Sequence, residues 1–347
     1  MKGVKILELT PRKQAVLKAI VKAYIETGEP IGSKILTSLI ENAPSSATLR
    51  NEMSELVSMG LLAQPHTSAG RIPTSDGLKL YVNNLMQKSD ILLDHKDFID
   101  NRFDMINEMP EKIPAKAGEI LSDLTSLPVI ACIITPETAV IKKIELLNLS
   151  RNTVMLLLLT NDSRTRNRIF RLGDSITPQM LERFKEIVNT KIKGKPLEEL
   201  SIGYMQSLVA SVGLDAFDLM PLFNVLFETA NEIESMSVDL SGVSRLYNVC
   251  GNEESARRII SLIESRDPII SLFERLGDGV VFGKDTGFSE LHGDTLIAAK
   301  FGNNKYKGYI AVIGPDRLSY EQIIPTIEYT ANKLSALMTK AQKDMED

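Results

Sequence analysis

The sequence predicts an α+β protein of several domains, and three features of the chain support that prediction. Residues 10–74 carry three helical patterns and a short hairpin. Strand-like runs occupy 129–172 and recur over 280–313, and a largely helical block separates them. Strands that resume after a helical block are expected when one domain interrupts another. With 347 residues the chain is long enough for two or three domains, each with its own core.

The first two helices are bounded by ordinary start and stop signals. Thr10 followed by Pro11 is a typical N-cap with proline at the first helical position, and Gly28 closes that helix. Ser33 caps a second, shorter helix, and the turn after it ends at Pro44. Short connections of this kind place three helices beside one another, as in a helix-turn-helix.

The third helix, residues 45–58, has two faces of different character. Ser45 is its expected N-cap and Gly60 its expected terminating glycine. Its inward stripe is apolar and is formed by Leu49, Met53, Leu56 and Val57. The opposite face is small and polar, lies beside Thr48 and Arg50, and consists of Ala47, Asn51, Ser54 and Ser58. A face of this kind fits a DNA major groove without steric conflict.

A short hairpin with a basic tip follows the third helix. Residues 61–64 and 72–74 are strand candidates, and 65–71 is the excursion between them. Three helices followed by such a hairpin define a winged helix-turn-helix, in which the hairpin is the wing. Residues 1–86 hold ten Lys or Arg and seven Asp or Glu, a net charge of +3, whereas the whole chain carries −5. The basic excess favours DNA as the partner, although many winged helices bind protein instead.

Motifs for catalysis are scarce in this sequence. It has no phosphate-binding loop, zinc-protease or serine-hydrolase signature, and its histidines are dispersed at His66, His95 and His292. Cys132 and Cys250 stand far apart, which disfavours a zinc site or a disulfide framework and favours a reducing cytoplasm. No apolar run reaches the length of a signal peptide or a membrane span. We therefore predict a cytoplasmic protein that is not an enzyme and has no catalytic residue, cofactor or metal.

Four stretches, 24–34, 45–53, 60–74 and 308–320, resemble the family of the heat-inducible transcription repressor HrcA. One position departs from the family pattern, because Ser46 stands where the family usually has proline; serine is acceptable at a first helical position. The resemblance implies a dimeric bacterial repressor that binds an inverted-repeat operator upstream of chaperone operons. It also implies dependence on a GroEL-type chaperonin for the active state.

The resemblance further implies a GAF-like α/β domain that is interrupted by an inserted, mostly helical dimerisation domain. The expected boundaries are 1–86 for the winged helix-turn-helix, 87–110 for a helical linker, 111–173 for the first GAF-like part, 174–275 for the insert and 276–347 for the second GAF-like part. The fold class is thus α+β and multidomain.

Side chains of the third helix are expected to make the specific DNA contacts. Arginine can pair bidentately with guanine and asparagine with adenine, which points to Arg50 and Asn51, with Thr48 beside them. The other expected residues hold the DNA backbone or surround the helix start. The full set is Ser33, Lys34, Ser45, Ser46, Ala47, Thr48, Arg50, Asn51, His66, Thr67, Ser68 and Arg71.

An apolar stretch of the insert is the expected dimer surface: Leu222, Phe223, Leu226 and Phe227. A buried face within the domain explains these residues nearly as well. The dimer is preferred because one winged helix makes too few base contacts for a rare operator, whereas a twofold pair reads a palindrome. The alternative function is a ligand-sensing regulator that uses the GAF-like domain and whose winged helix docks protein. Salt-dependent binding to an inverted-repeat duplex separates the two functions.

Overall fold

A computed structural model describes most of the chain, namely residues 9–65, 70–87, 89–134, 139–150, 152–161, 164–173, 176–212, 216–231, 236–250, 252–265, 267–303 and 306–346. They fold as two compact units. The first is built from the chain before Ile133 together with nearly all of the chain after Ser237, and the second mainly from Ile133–Ser237. The second unit is therefore an insertion in the first.

The N-terminal part has the order of elements that the sequence predicts. These elements are α1 (Pro11–Thr27), α2 (Ser33–Leu39), α3 (Ser46–Ser58), β1 (Leu62–Ala63) and β2 (Ile72–Pro73). Strands β1 and β2 pair antiparallel, with Leu62 opposite Pro73. Leu17, Ile20 and Leu36 are completely buried among the three helices, so the apolar spacing that predicts the helices also forms their common core.

The rest of the first unit surrounds a five-stranded sheet. Its elements are α4 (Ser75–Leu80) with a π turn (Tyr81–Leu85), α5 (Leu93–Phe103), α6 (Ile113–Thr125), β3 (Val129–Ile134), β7 (Met236–Ser241), α10 (Val243–Cys250), α11 (Glu253–Glu264), α12 (Asp267–Leu276), β8 (Gly279–Phe282), α13 (Gly283–Thr286), β9 (Asp294–Gly302), β10 (Lys307–Pro315) and α14 (Tyr320–Glu346). The strand order is β7-β3-β10-β9-β8. The near-continuous apolar runs of β3 and β10 are buried because these two strands lie inside the sheet.

The second unit packs three helices against a three-stranded antiparallel sheet. Its elements are β4 (Ile141–Ser150), β5 (Thr153–Thr160), β6 (Thr165–Arg171), α7 (Pro178–Ile187) with a π turn (Val188–Ile192), α8 (Ile202–Val212) and α9 (Ala216–Asn231). Every second side chain of β5 is buried, and two of them, Leu156 and Leu158, belong to a core that also contains Phe184. The sheet thus has an inner face against the helices and an outer face.

The second unit differs in extent from the predicted insert of 174–275. Among the described strands, β4, β5 and β6 pair only with one another, and their inner face packs on the helices that follow. The unit therefore begins at Ile133 and includes three strands that the sequence predicts for the first GAF-like part. It ends at Ser237, because α10 to α12 cluster with the first unit. The GAF-like assignment of the five-stranded sheet stays a prediction.

A buried carboxyl group at the start of β9 makes the stability of the first unit depend on pH. Asp294 is 8% exposed, and burial, together with the neighbouring Asp316, raises its pKa to about 7. The unfolded side chain ionises near pH 4, so the folded state retains a proton that the unfolded state has lost. The stabilisation is complete below about pH 4 and is lost as the pH rises through about 7.

The corresponding test replaces this carboxyl group by an amide. We expect wild type to be more stable at pH 5 than at pH 8 in urea unfolding, and Asp294→Asn to show a smaller difference. The amide has nearly the same shape but cannot ionise. An identical pH dependence in the two proteins would contradict the assignment.

Candidate nucleic-acid interface

Helix α3 is oriented as its sequence predicts. The hydroxyl of Ser45 caps the helix by accepting a hydrogen bond from the backbone N–H of Thr48, at 3.2 Å. Leu49, Met53 and Leu56 are buried against the rest of the winged helix. The opposite side of α3 consequently faces solvent.

The solvent-facing side of α3, here called the reading face, consists of Ala47, Arg50, Asn51 and Ser54, all of them exposed. Ala47 is too short to obstruct an approaching groove. The Ser54 hydroxyl donates to the backbone carbonyl of Arg50 at 2.9 Å, which keeps it close to the helix. Arg50 and Asn51 are therefore the longest side chains of the face and lie on either side of Ala47 and Ser54, and both carry groups that recognise base edges.

Ser33 has a different place from the one expected. It is 9% exposed, and its hydroxyl lies 2.9 Å from that of Ser46, the first residue of α3. This bond joins the start of α2 to the start of α3 and so helps to fix the angle between them. In the folded chain Ser33 braces the reading helix, whereas its neighbour Lys34 is exposed and available to a phosphate.

The base of the wing is attached to the turn before α2. Ile31 and Arg71 exchange two backbone hydrogen bonds of 2.9 Å each. Gly70 permits this pairing, because a Cβ at that position would lie 2.4 Å from the carbonyl carbon of Ile31. The predicted contacts His66, Thr67 and Ser68 lie outside the described residues.

A cluster of charges beside the reading face was not predicted from the sequence. The ammonium of Lys13 on α1 lies 3.2 Å from a carboxylate oxygen of Glu52 and 2.9 Å from one of Glu55, both on α3. Arg12 adds a longer contact of 3.7 Å to Glu52. The hydrogen bond from Lys13 to Glu55 has the largest effect on the pKa of Lys13 and raises it, and the hydrogen bond to Glu52 raises it further. The basic pair is visible in the sequence, but its partners are some forty positions away.

Polar contacts hold the winged helix on the rest of the first unit. Glu321 of α14 accepts a hydrogen bond from the Tyr81 hydroxyl at 2.7 Å and pairs with Lys22 at 3.0 Å. Burial alone would raise the pKa of Glu321, but the bonds from Tyr81 and Lys22 lower it. Two reciprocal ion pairs, Lys79 with Asp285 and Asp76 with Lys284, connect α4 to α13.

The residues expected at a dimer surface lie inside the second unit. Leu222, Phe223 and Leu226 are completely buried, and the ring of Phe223 packs edge-to-face on that of Phe184, with ring centroids 4.9 Å apart. Phe227 is partly buried against the same core. The alternative of a buried face within the domain is therefore what the structure shows for these four residues.

Two other features are not found among the described residues. No group of three or more His, Cys, Asp and Glu side chains could hold a metal ion. No helix in the part of the chain that the structure describes has the length and apolarity needed to cross a membrane.

The capped, solvent-facing α3 and the wing base beside it define a winged helix-turn-helix DNA-binding protein. The family model described as "Winged helix-turn-helix transcription repressor, HrcA DNA-binding" matches residues 8–86, and "HrcA protein C terminal domain" matches 111–324. The chain belongs to the HrcA family of heat-inducible transcription repressors.

Relatives with known names agree along nearly the whole chain. The heat-inducible transcription repressor HrcA of Carboxydothermus hydrogenoformans is 32% identical over 341 residues, covering 94% of this chain and 97% of that protein. HrcA of Clostridium tetani is 30% identical and covers 97% of each chain. A solved structure described as a hypothetical protein at 2.2 Å resolution superposes with a TM-score of 0.63 at 22% identity, covering 96% of this chain and all of that one. That likeness supports the fold alone, and the named relatives are repressors, a non-enzymatic class.

Proposed function

We propose that this protein is a cytoplasmic, sequence-specific repressor of heat-shock chaperone operons that binds an inverted-repeat operator as a dimer. The observation that carries the proposal is the exposure of Arg50 and Asn51 on the reading face. These two side chains can make bidentate contacts with guanine and adenine in the major groove. The named relatives, which are heat-inducible repressors, support the choice of operons.

The surrounding residues orient the protein and α3 on the DNA more than they read the base sequence. Lys34, Arg71 and the predicted wing contacts are suited to phosphate contacts, which fix the register of a protein on DNA. Ser45, bonded to Thr48 within the start of α3, and Ser46, bonded to Ser33 of α2, hold α3 in place. Specific contacts thus come from few side chains per subunit, and a rare operator requires a second copy of the reading face.

We assign the contact between the two copies to the outer face of the three-stranded sheet. Leu147, Met155 and Ile169 stand opposite one another across β4, β5 and β6 and form an apolar row. Leu147 is 43% exposed and Ile169 is 59% exposed, and Leu149 beside them is also exposed. An exposed apolar face on a sheet is the kind of surface that a second copy of the same sheet can cover.

A charge placed in this row is expected to separate the dimer. Ile169→Asp would bury a carboxylate in an apolar contact, and its mirror image would add a second. Light scattering after gel filtration should give the mass of one subunit for this variant and of two for wild type. Met105→Asp is the matched control, because Met105 is 78% exposed on the first unit. A dimeric Ile169→Asp protein would exclude this face.

Dependence on a GroEL-type chaperonin is also proposed. The sheet of the first unit joins strands that are far apart in sequence, since β3 has β7 and β10 as neighbours and the second unit interrupts the chain between them. Such non-local pairing slows folding and exposes apolar surface meanwhile. Denatured protein should regain operator binding much faster with chaperonin and ATP than without. Rapid, complete refolding of the protein alone would remove this part of the proposal.

The central test of the proposed function is footprinting on the promoter region of a chaperonin operon. We expect protection of an inverted repeat, with affinity that falls steeply as salt is added. A scrambled duplex of the same length and composition is the control. Equal affinity for the repeat and for the scrambled duplex would contradict sequence-specific binding.

A further inference from the structure

We propose that Lys13 is a positioning residue for DNA binding, whose ammonium group holds Glu52 and Glu55 beside the reading face and offsets part of their negative charge. The inference rests on the proposed function and deepens it. Lys13 lies on α1, outside the helix that reads DNA, and its own side chain is only 12% exposed. It therefore acts on the DNA through the two carboxylates of α3.

The position of Glu55 makes its charge important. Glu55 follows Asn51 by four residues, so the two side chains lie on the same face of α3, one turn apart. Glu55 is 57% exposed, whereas Glu52 is 13% exposed at the side of the helix. A bare carboxylate at the position of Glu55 would face the phosphates of any DNA that contacts Asn51, and like charges at this range repel.

The geometry places one cation between these two anions. Lys13 Nζ is 2.9 Å from Glu55 and 3.2 Å from Glu52, so a single ammonium contacts both carboxylates. Glu52 also lies 3.7 Å from Arg12. Among the described ion pairs, Glu55 is paired with Lys13. Helix α3 itself carries one basic residue, Arg50, and two acids, which is a net negative charge that Lys13 offsets.

The test compares removal of the cation with removal of the anions. Lys13→Met keeps the packing of the aliphatic stem, and we expect it to weaken binding to the inverted-repeat duplex roughly tenfold at about 0.1 M salt. The triple variant Lys13→Met, Glu52→Gln, Glu55→Gln should regain most of the lost affinity. The loss in Lys13→Met should shrink as salt rises to about 0.3 M, because screening weakens the repulsion.

The rescue separates the electrostatic role from a structural one. If Lys13 mattered only for packing α1 on α3, neutral glutamines would not restore binding, and a triple variant as weak as Lys13→Met would overturn the proposal. Wild-type affinity in Lys13→Met would overturn it as well. Lys116→Met is the matched control, because Lys116 pairs with Glu119 on the surface of α6 and its loss changes the net charge equally.

A further variant covers the case in which Lys13→Met does not fold, as judged by circular dichroism. Glu52→Gln with Glu55→Gln leaves Lys13 in place and unpaired, and we expect tighter DNA binding; unchanged or weaker binding would overturn the proposal. The same charge effects apply to a scrambled duplex, since repulsion by phosphates does not depend on sequence. If sequence-specific binding fails, wild type binds the inverted repeat and the scrambled duplex equally. If the Lys13 proposal fails, the affinities of the variants relative to wild type differ from those expected above.

Discussion

Arg50→Ala is expected to abolish operator binding at working concentrations while the folded dimer persists. Each bidentate arginine–guanine contact contributes about 1–3 kcal/mol of discrimination, and a dimer on an inverted repeat makes two. Losing both weakens specific binding by roughly 30-fold to 10⁴-fold. Arg50 is exposed, and its side chain has no role in the buried stripe of α3, so stability should change little. Mobility-shift titration with an inverted-repeat duplex measures the effect.

The control for this variant is another exposed arginine. Arg258→Ala removes the same side chain from α11, where Arg258 pairs with Glu254, and should bind the operator like wild type. If Arg50 only braces a phosphate, Arg50→Ala would weaken the operator and a scrambled duplex by the same factor. That result would assign sequence reading to Asn51 instead.

Gly77→Ala is expected to cause a large loss of stability where the winged helix joins α4. A Cβ on Gly77 would lie 2.1 Å from the carbonyl oxygen of Leu61, far inside van der Waals contact. That oxygen also accepts the backbone hydrogen bond of Thr74 at 3.1 Å, which joins β1 to the start of α4. Moving α4 away would break this bond and disturb the packing of buried Leu78, at a loss of about 2–4 kcal/mol.

Thermal unfolding followed by circular dichroism, together with DNA binding, measures this loss. The matched control is Gly203→Ala, which lies in α8 with its nearest neighbouring atom at 3.9 Å, the hydroxyl oxygen of Ser201. There alanine should stabilise the helix by about 0.5–1 kcal/mol. A Gly77→Ala protein as stable as wild type would show that α4 can shift without penalty.

The winged helix could be predicted from the sequence because its signals are local. Ser45 caps α3 from three residues away, and the stripe of Leu49, Met53 and Leu56 depends only on helical spacing. The boundary of the insertion could not be predicted in the same way. Strands β3 and β4 are close in sequence and both strand-like, yet they belong to different sheets. The pairing of strands is decided by long-range packing, and local periodicity carries no information about that packing.

In the candidate site, too, local features could be predicted from the sequence and long-range contacts could not. The exposure of Arg50 and Asn51 follows from helical periodicity, and the structure agrees with it. The bond between Ser33 and Ser46 and the contacts of Lys13 join residues on different helices. A serine or a lysine in the sequence looks the same whether its side chain faces DNA or a neighbouring helix. Only the three-dimensional arrangement distinguishes a residue that contacts DNA from one that supports it.

The link between Lys22 and Glu321 has a consequence for biosynthesis, because 299 positions separate the two residues. Tyr81 likewise meets Glu321 across 240 positions. At about 5–20 residues per second, a ribosome needs roughly 15–60 seconds to extend the nascent chain from Lys22 to Glu321. We expect the newly made DNA-binding domain to remain tethered but undocked throughout that interval. Its docking onto α14 can then take place only after Glu321 has been synthesised.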